Sequence, residues 1–304
     1  MFKKVRPRYT ILAFGKRKFP QISRKDLTVN HLIDQYTNID KIVDSTTKVS
    51  SIGSCFAEEI LRWMGSNGFN VLHPSWGDVY NPKNIRLIIE TGLEYENFNP
   101  NERFWNFGDR DIRTPYVKNT TESSPIKLGS TLEEAKIAEK KLFSKFGDTL
   151  KSVETLIITL GQTEYWANEK QYPFYAAPWT GIEGGNINHK PYNLSHKEVV
   201  DELQSTINIL KKHNPNINIL ISVSPVPLVA SVLKGHSAYI AAGRAKSTLH
   251  SATLEVVDCN NKVYYMPSYE IVTSRPQTTF KPDGRHVLPS TVSTIMETFK
   301  KLFT

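Results

Sequence analysis

The chain has 304 residues, a formal net charge of +8, 39% hydrophobic and 22% charged residues, and two cysteines, Cys55 and Cys259. This length supports one large domain or two small ones, and the composition argues against a disordered chain. Two cysteines argue against a disulfide scaffold and a cysteine-built zinc site, and no apolar run approaches the ~20 residues of a membrane span.

The charge is uneven. Residues 1–25 carry nine Lys and Arg and no acid, so the remainder is left with about −1. Residues 1–46 are therefore read as a basic arm and lead-in, and residues 47–304 as the domain. Such an arm suits an anionic membrane or phosphate groups; the plainer reading is a solvated tail. No nucleic-acid module signature is present, so sequence-specific nucleic-acid binding is not expected. Ile11–Phe14 is too short for a signal-peptide core. The expected location is the reducing cytoplasm, peripheral to a membrane if the arm engages lipid.

In chain order, Lys48–Ile52 is β-prone and meets Gly53-Ser54-Cys55, after which Ala57, Ile60, Leu61 and Met64 fall at helical spacing over 56–66. Gly68 is a stop signal. Phe69–Leu72 reads as a second strand, and Asn81-Pro82 opens a helix through Ile89. Residues 94–130 are polar, aromatic and turn-rich and read as an excursion from the core. A charged amphipathic helix follows over 132–146. Thr155–Leu160 is the clearest buried strand, ended by Gly161. A helix over 197–212, a strand over 217–223 stopped by Ser224-Pro225, a helix over 243–257, a strand over 263–266 and a terminal helix over 291–303 complete the pattern. Strands alternating with crossover helices predict an α/β fold, a parallel sheet covered on both faces. Sites in such sheets form beyond the carboxyl ends of the strands, where Ser54, Gly161 and Ser224 each follow a predicted strand.

Three groups of residues carry chemistry. Ser54 stands where a strand hands over to a helix, whose first amides are unpaired and whose dipole would favour a developing oxyanion; a serine there also serves as an ordinary N-cap. Its neighbour Cys55 is either a nucleophile with a thiol pKa lowered by the helix start or a buried structural cysteine. Asp283 and His286 share the turn-prone Pro282-Asp283-Gly284 segment. A turn there brings the carboxylate onto one imidazole nitrogen and leaves the other free to accept a proton from serine; the alternative is a surface turn with a solvated histidine. In Gly161-Gln162-Thr163-Glu164, Gly161 allows close approach, Gln162 and Thr163 offer donors, and Glu164 binds substrate or holds a neighbour; equally, this is a plain turn or helix start. Residues 165–192 hold seven aromatics among glycines and asparagines, a composition that suits sugar faces and hydroxyls or simple packing.

At these residues the chain resembles the GSCFA family, whose naming motif stands here as Gly53-Ser54-Cys55-Phe56-Ala57. Tyr80-Asn81-Pro82, Thr159-Leu160-Gly161 with Thr163-Glu164, Val223–Pro227 and Pro267–Glu270 extend the resemblance across roughly 47–290, with the 94–130 excursion set outside it. That family is related to the SGNH hydrolases, which implies a three-layer, flavodoxin-like α/β fold with Ser54 as nucleophile, His286 as base and Asp283 as its orienter. Gly77 and Asn81 lie in the region of the family's first oxyanion donors. The later Gly-x-Asn-Asp block stands here as Gly161–Glu164, with Thr163 in the place of the amide donor.

The combined reading is a serine-dependent acyl-ester enzyme, an esterase or O-acyltransferase acting on a carbohydrate or surface polysaccharide. The Ser54 amide is expected to help hold the oxyanion. No obligatory metal or nucleotide is expected; a transferase would take an acyl donor such as acetyl-CoA. The rivals are a catalytically inactive glycan-binding module and a protein that associates with membrane or nucleic acid through its arm.

Overall fold

The computed structural model describes residues 41–74, 76, 78–100, 102–119, 124–174, 189–274 and 279–304. These fall into two compact units. Residues 42–269 form one, and residues 270–304 group with Lys41 in the other.

The larger unit is built on a parallel sheet. Its strands are β1 (Val49–Gly53), β5 (Thr155–Leu160), β9 (Asn218–Val223) and β10 (Val263–Met266), in the order β1-β5-β9-β10. Every residue of β1 and β5 is buried. Since successive side chains point to opposite faces, both faces of these strands are covered. That accounts for their near-continuous apolar sequence. Beyond β1, Val71 and Trp76 make isolated parallel bridges to Val49 and Ile52. The chain therefore visits the sheet in the order 2-1-3-4-5, the flavodoxin-like arrangement. The predicted strand over Phe69–Leu72 is reduced to the Val71 bridge, and the Trp76 bridge lies beyond it.

The helices of the unit are α1 (Cys55–Ser66), α2 (Pro82–Leu93), α3 (Leu132–Ser152), α4 (His196–His213) and α5 (Ala238–Cys259). Helix α1 packs on β1 and β5, while α3 packs on α2, α2 on α4 and α4 on α5. Two helices are longer than their patterns predict. Helix α3 continues through Gly147, a residue that lowers helix propensity but is needed here. A Cβ on Gly147 would lie 1.9 Å from the Gly92 carbonyl oxygen, so the glycine lets α2 and α3 touch backbone to backbone. Helix α5 begins at Ala238, five residues before the predicted start, because Ser237 caps it by accepting from the Ile240 amide at 3.4 Å.

The 94–130 excursion forms its own antiparallel sheet of β2 (Trp105–Asn106), β3 (Ile112–Asn119) and β4 (Ser124–Gly129). Phe98, Trp105 and Tyr116 are buried in it. Phe98 packs on Phe143 of α3, with ring centroids 5.5 Å apart. A third small sheet joins β6 (Glu164–Ala167), β7 (Pro173–Phe174) and β8 (Lys190–Asn193) in the order β7-β6-β8.

The smaller unit contains an antiparallel bridge between Phe280 and Val287 and the helix α7 (Pro289–Phe303), which follows the short α6 (Ser268–Thr273). Lys41 Nζ donates to the Lys301 carbonyl at 2.6 Å. Among the described residues, no helix is long and apolar enough to cross a membrane.

The Gly92–Gly147 contact leaves no room for a side chain. Gly147→Ala is expected to destabilise the protein by about 1–3 kcal/mol through overpacking, read as a lowered midpoint of urea unfolding with an unchanged slope.

Candidate active site

The β1–α1 junction is shaped by contact with β5. Gly53 has φ +142°, and a Cβ there would lie 2.2 Å from the Thr159 carbonyl oxygen and 2.6 Å from its hydroxyl. Only glycine lets β1 end against Thr159 in this way. Ser54 follows at the N-cap position of α1, but its side chain makes no capping bond. Its Oγ instead lies 2.9 Å from Thr159 Oγ1, and the residue is 2% exposed. The Ser54 amide donates to the Thr159 carbonyl at 3.0 Å and to Oγ1 at 2.9 Å. That amide, expected to hold an oxyanion, is thus already engaged by β5.

Thr159 went unremarked in the sequence as a site residue. Its signal is a fully buried hydroxyl near the end of an otherwise apolar strand.

Cys55 departs from both of its expected roles. It is exposed, so it is not a buried structural cysteine. Its thiol is pushed up, not down: the surrounding protein desolvates the thiolate, and the carboxylates of Asp78 and Glu59 repel it. These effects outweigh the helix start. Asp78 Oδ1 accepts from the Tyr80 hydroxyl at 2.8 Å. Burial, and then the Asp78 charge, raise that hydroxyl far above the ordinary tyrosine range.

The residues proposed to flank the oxyanion have partners of their own. The amides of Gly161 and Gln162 donate to the Tyr80 carbonyl at 2.7 and 3.1 Å. Thr163 Oγ1 donates to Asn193 Oδ1 at 2.7 Å. Glu164 accepts from Ser231 Oγ at 2.7 Å and the Val232 amide at 2.8 Å, holding the loop before α5. Asn81 is the N-cap of α2, its Oδ1 accepting from the Asn84 amide at 2.9 Å. Gly77 lies outside the described residues, as do Tyr175 and Trp179 of the aromatic segment. Of its other rings, Tyr165 and Phe174 are buried, and Tyr165 stacks on Tyr192 at 5.4 Å between centroids. Packing accounts for these.

A second residue not singled out in the sequence is Lys246 on α5, 4% exposed, whose Nζ donates to the Gly161 carbonyl at 2.6 Å. Burial draws its pKa down to about 7. The sequence carried a hint: Lys246 sits four residues after Ala242 and three before Leu249, within the helix's buried stripe.

In the smaller unit, the Pro282-Asp283-Gly284 turn brings carboxylate and imidazole together. Gly284 has φ +69° and its amide donates to the Lys281 carbonyl at 2.9 Å. Asp283 Oδ1 accepts from the amides of Arg285 at 2.9 Å and His286 at 3.0 Å. Its Oδ2 lies 2.6 Å from His286 Nδ1. The bond to His286, then those from the two amides, hold the Asp283 carboxyl well below the usual carboxylate range. An ionised carboxylate can only accept, so Nδ1 carries the proton and Nε2 is the basic nitrogen. Ser54, Thr159 and Gly161 are thus gathered in one unit, and Asp283 and His286 in the other.

Residues 48–299 match the model of the GSCFA family, a span that includes the 94–130 excursion earlier set outside the resemblance. Among solved structures, the chain is similar to the periplasmic domain of the Salmonella ser. Paratyphi A lipopolysaccharide acetyltransferase, at 12% identity and TM-score 0.39, covering 90% of this chain and 88% of that one. It is also similar to the Clostridium thermocellum family 3 carbohydrate esterase, at 11% identity and TM-score 0.33, covering 84% and 94%. No curated protein matches the chain significantly.

Lys246 gives the larger unit a pH signature. Unfolded, its amine titrates near 10.5; folded, near 7. Between those values the unfolded chain binds more protons, so stability rises with pH. Wild type is expected to gain on Lys246→Met by on the order of 1 kcal/mol or more from about pH 7 to about pH 10, measured by urea unfolding at each pH.

Proposed function

The chain belongs to the GSCFA family, and from that premise we propose that it is a serine-dependent acyl-ester enzyme. Ser54 is the nucleophile, His286 the base and Asp283 the residue that fixes the imidazole. The observation that carries this reading is the Asp283–His286 pair: a 2.6 Å contact at Nδ1 commits that nitrogen and makes Nε2 the proton acceptor. The imidazole is 56% exposed, as suits a group whose partners are a hydroxyl and a substrate.

The chemistry proceeds in two balanced halves. Ser54 Oγ bonds to the ester carbonyl carbon, its proton passes to His286 Nε2, and the carbonyl π pair moves to oxygen. Collapse re-forms the carbonyl and expels the alcohol, which takes the proton from Nε2 and leaves an acyl-Ser54. Water then releases the acid, or an acceptor hydroxyl takes the acyl group. Thr159 Oγ1 keeps the Ser54 oxygen in one orientation until the substrate arrives.

The substrate class we propose is an ester-bearing carbohydrate. The support is the composition of the aromatic and amide-rich stretch 165–192, a mixture that suits sugar faces and hydroxyls, in which Trp166 is not fully buried. The engaged amides of Ser54 and Gly161 favour a second reading, a module that binds such a ligand without turning it over.

A fluorophosphonate probe and a p-nitrophenyl acetate assay test the reaction. Wild type is expected to be labelled once, at Ser54, and to turn over the ester. Ser54→Ala is expected to abolish labelling. Ser54→Ala and His286→Ala are each expected to lower kcat by about 10⁴-fold. Labelling that persists in Ser54→Ala and vanishes in Cys55→Ala would move the nucleophile to the thiol. Glycan binding with no acyl release would favour the second reading.

A further inference from the structure

A buried amine that the reaction above does not use stands at the same edge of the sheet. Lys246 is 4% exposed, and its Nζ is anchored to the Gly161 carbonyl at 2.6 Å. Gly161 lies two residues beyond Thr159, which holds Ser54 Oγ. At about 3.3 Å per residue, this anchor is within about 7 Å of the Ser54 partner. Among the described residues, the titratable group that acts on Lys246 is the thiol of Cys55, the residue after Ser54. The middle of α5 and the start of α1 therefore converge beyond the carboxyl ends of β1 and β5.

An ammonium has three N–H donors, and Gly161 accepts one. Among the described residues, Lys246 forms no ion pair with a carboxylate. Burying a cation without a counter-charge is costly, and such groups gather at functional sites. Meanwhile, the amides of Ser54 and Gly161 both donate elsewhere. Among the described residues, these two backbone amides at the head of the sheet are thus already engaged, while a buried donor with protons to spare is anchored nearby.

We propose that Lys246, as an ammonium, is the oxyanion-stabilising group of the Ser54 site, donating an N–H to the ester carbonyl oxygen as that oxygen becomes negative. This rests on the acyl-transfer reading. Lys246 keeps all its protons through the step: the hydroxyl proton goes to the imidazole and the carbonyl π pair to the oxygen that Lys246 faces. The ligand class of the position is an anion, an oxyanion during turnover.

The role requires the charged form. Burial draws Lys246 to about 7, and the Gly161 carbonyl dipole favours the ammonium. The stabilisation it gives therefore declines as pH rises through neutrality.

The test measures kcat and KM for p-nitrophenyl acetate from about pH 6 to about pH 9 in wild type, Lys246→Met and Lys246→Arg, with fluorophosphonate labelling alongside. Lys246→Met is expected to lose about 10²–10³ in kcat with KM little changed, as on loss of one oxyanion donor. Lys246→Arg is expected to retain more activity and to lose the decline above neutrality, because guanidinium stays charged. Wild-type kcat in Lys246→Met, or a wild-type falling limb in Lys246→Arg, overturns the proposal while Ser54 labelling keeps the acyl reading intact. If Lys246→Met does not fold, the Lys246→Arg profile decides. If Ser54 is unreactive, the acyl reading itself has failed, and NMR judges the lysine. Its 13Cε resonance, assigned by loss in Lys246→Arg, is expected to shift with added inorganic phosphate. A resonance unmoved by saturating phosphate overturns the anion role.

Discussion

The close approach of Gly53 to Thr159 governs the arrangement at the head of the sheet. With a Cβ excluded by the Thr159 carbonyl at 2.2 Å, the end of β1 lies against β5, and the next residue, Ser54, receives its environment from Thr159. One threonine side chain holds the serine oxygen and amide, and its carbonyl holds the amide a second time. The serine is preorganised by strand contact, not by capping its own helix. The same contact withdraws the first helical amide from solvent and substrate, so the electrostatics here depend on side chains more than on the helix start.

Those electrostatics are divided. On one side, burial and then Asp78 and Glu59 raise the Cys55 thiol, and burial and then Asp78 raise the Tyr80 hydroxyl; both groups are kept protonated and neutral. On the other, the buried amine of Lys246 donates to the Gly161 carbonyl. Among the described residues, no carboxylate forms an ion pair with that amine. Tyr80 links the two sides, its hydroxyl bonded to Asp78 and its carbonyl to Gly161.

Much of the framework was legible because its signals are local. Thr155–Leu160 is a run of branched apolar residues closed by glycine, and the structure places β5 on those residues. Asn81-Pro82 gave the start of α2 through a cap and a proline at the first turn. The Pro282–Gly284 turn likewise gave the Asp283–His286 contact. What escaped depends on partners distant in sequence. Phe69–Leu72 was too short to show that only single bridges would form. The helix expected over 132–146 left out Gly147, whose purpose lies on another helix. The duties of Thr163 and Glu164 are fixed by Asn193 and the Ser231 loop, and the burial of Lys246 by the turn after β5. The aromatic segment read as either sugar-facing or simply packed; Tyr165 stacks on Tyr192 across a small sheet, and Tyr172 and Phe174 pack on Phe98, Trp105 and Tyr116 of the excursion, partners that composition alone did not announce.

The backbone contact of Gly92 with Gly147 stands where the chain leaves α2 for the excursion. The two glycines put no side chain of their own between α2 and α3, so this point of departure is set by main-chain geometry. The β2-β3-β4 sheet hangs from a fixed clasp, anchored further by Phe98 on Phe143. An appendage mounted in this manner can change in length and sequence without touching the Gly53–Thr159 contact that sets the position of Ser54, which makes the excursion a tolerant place for variation.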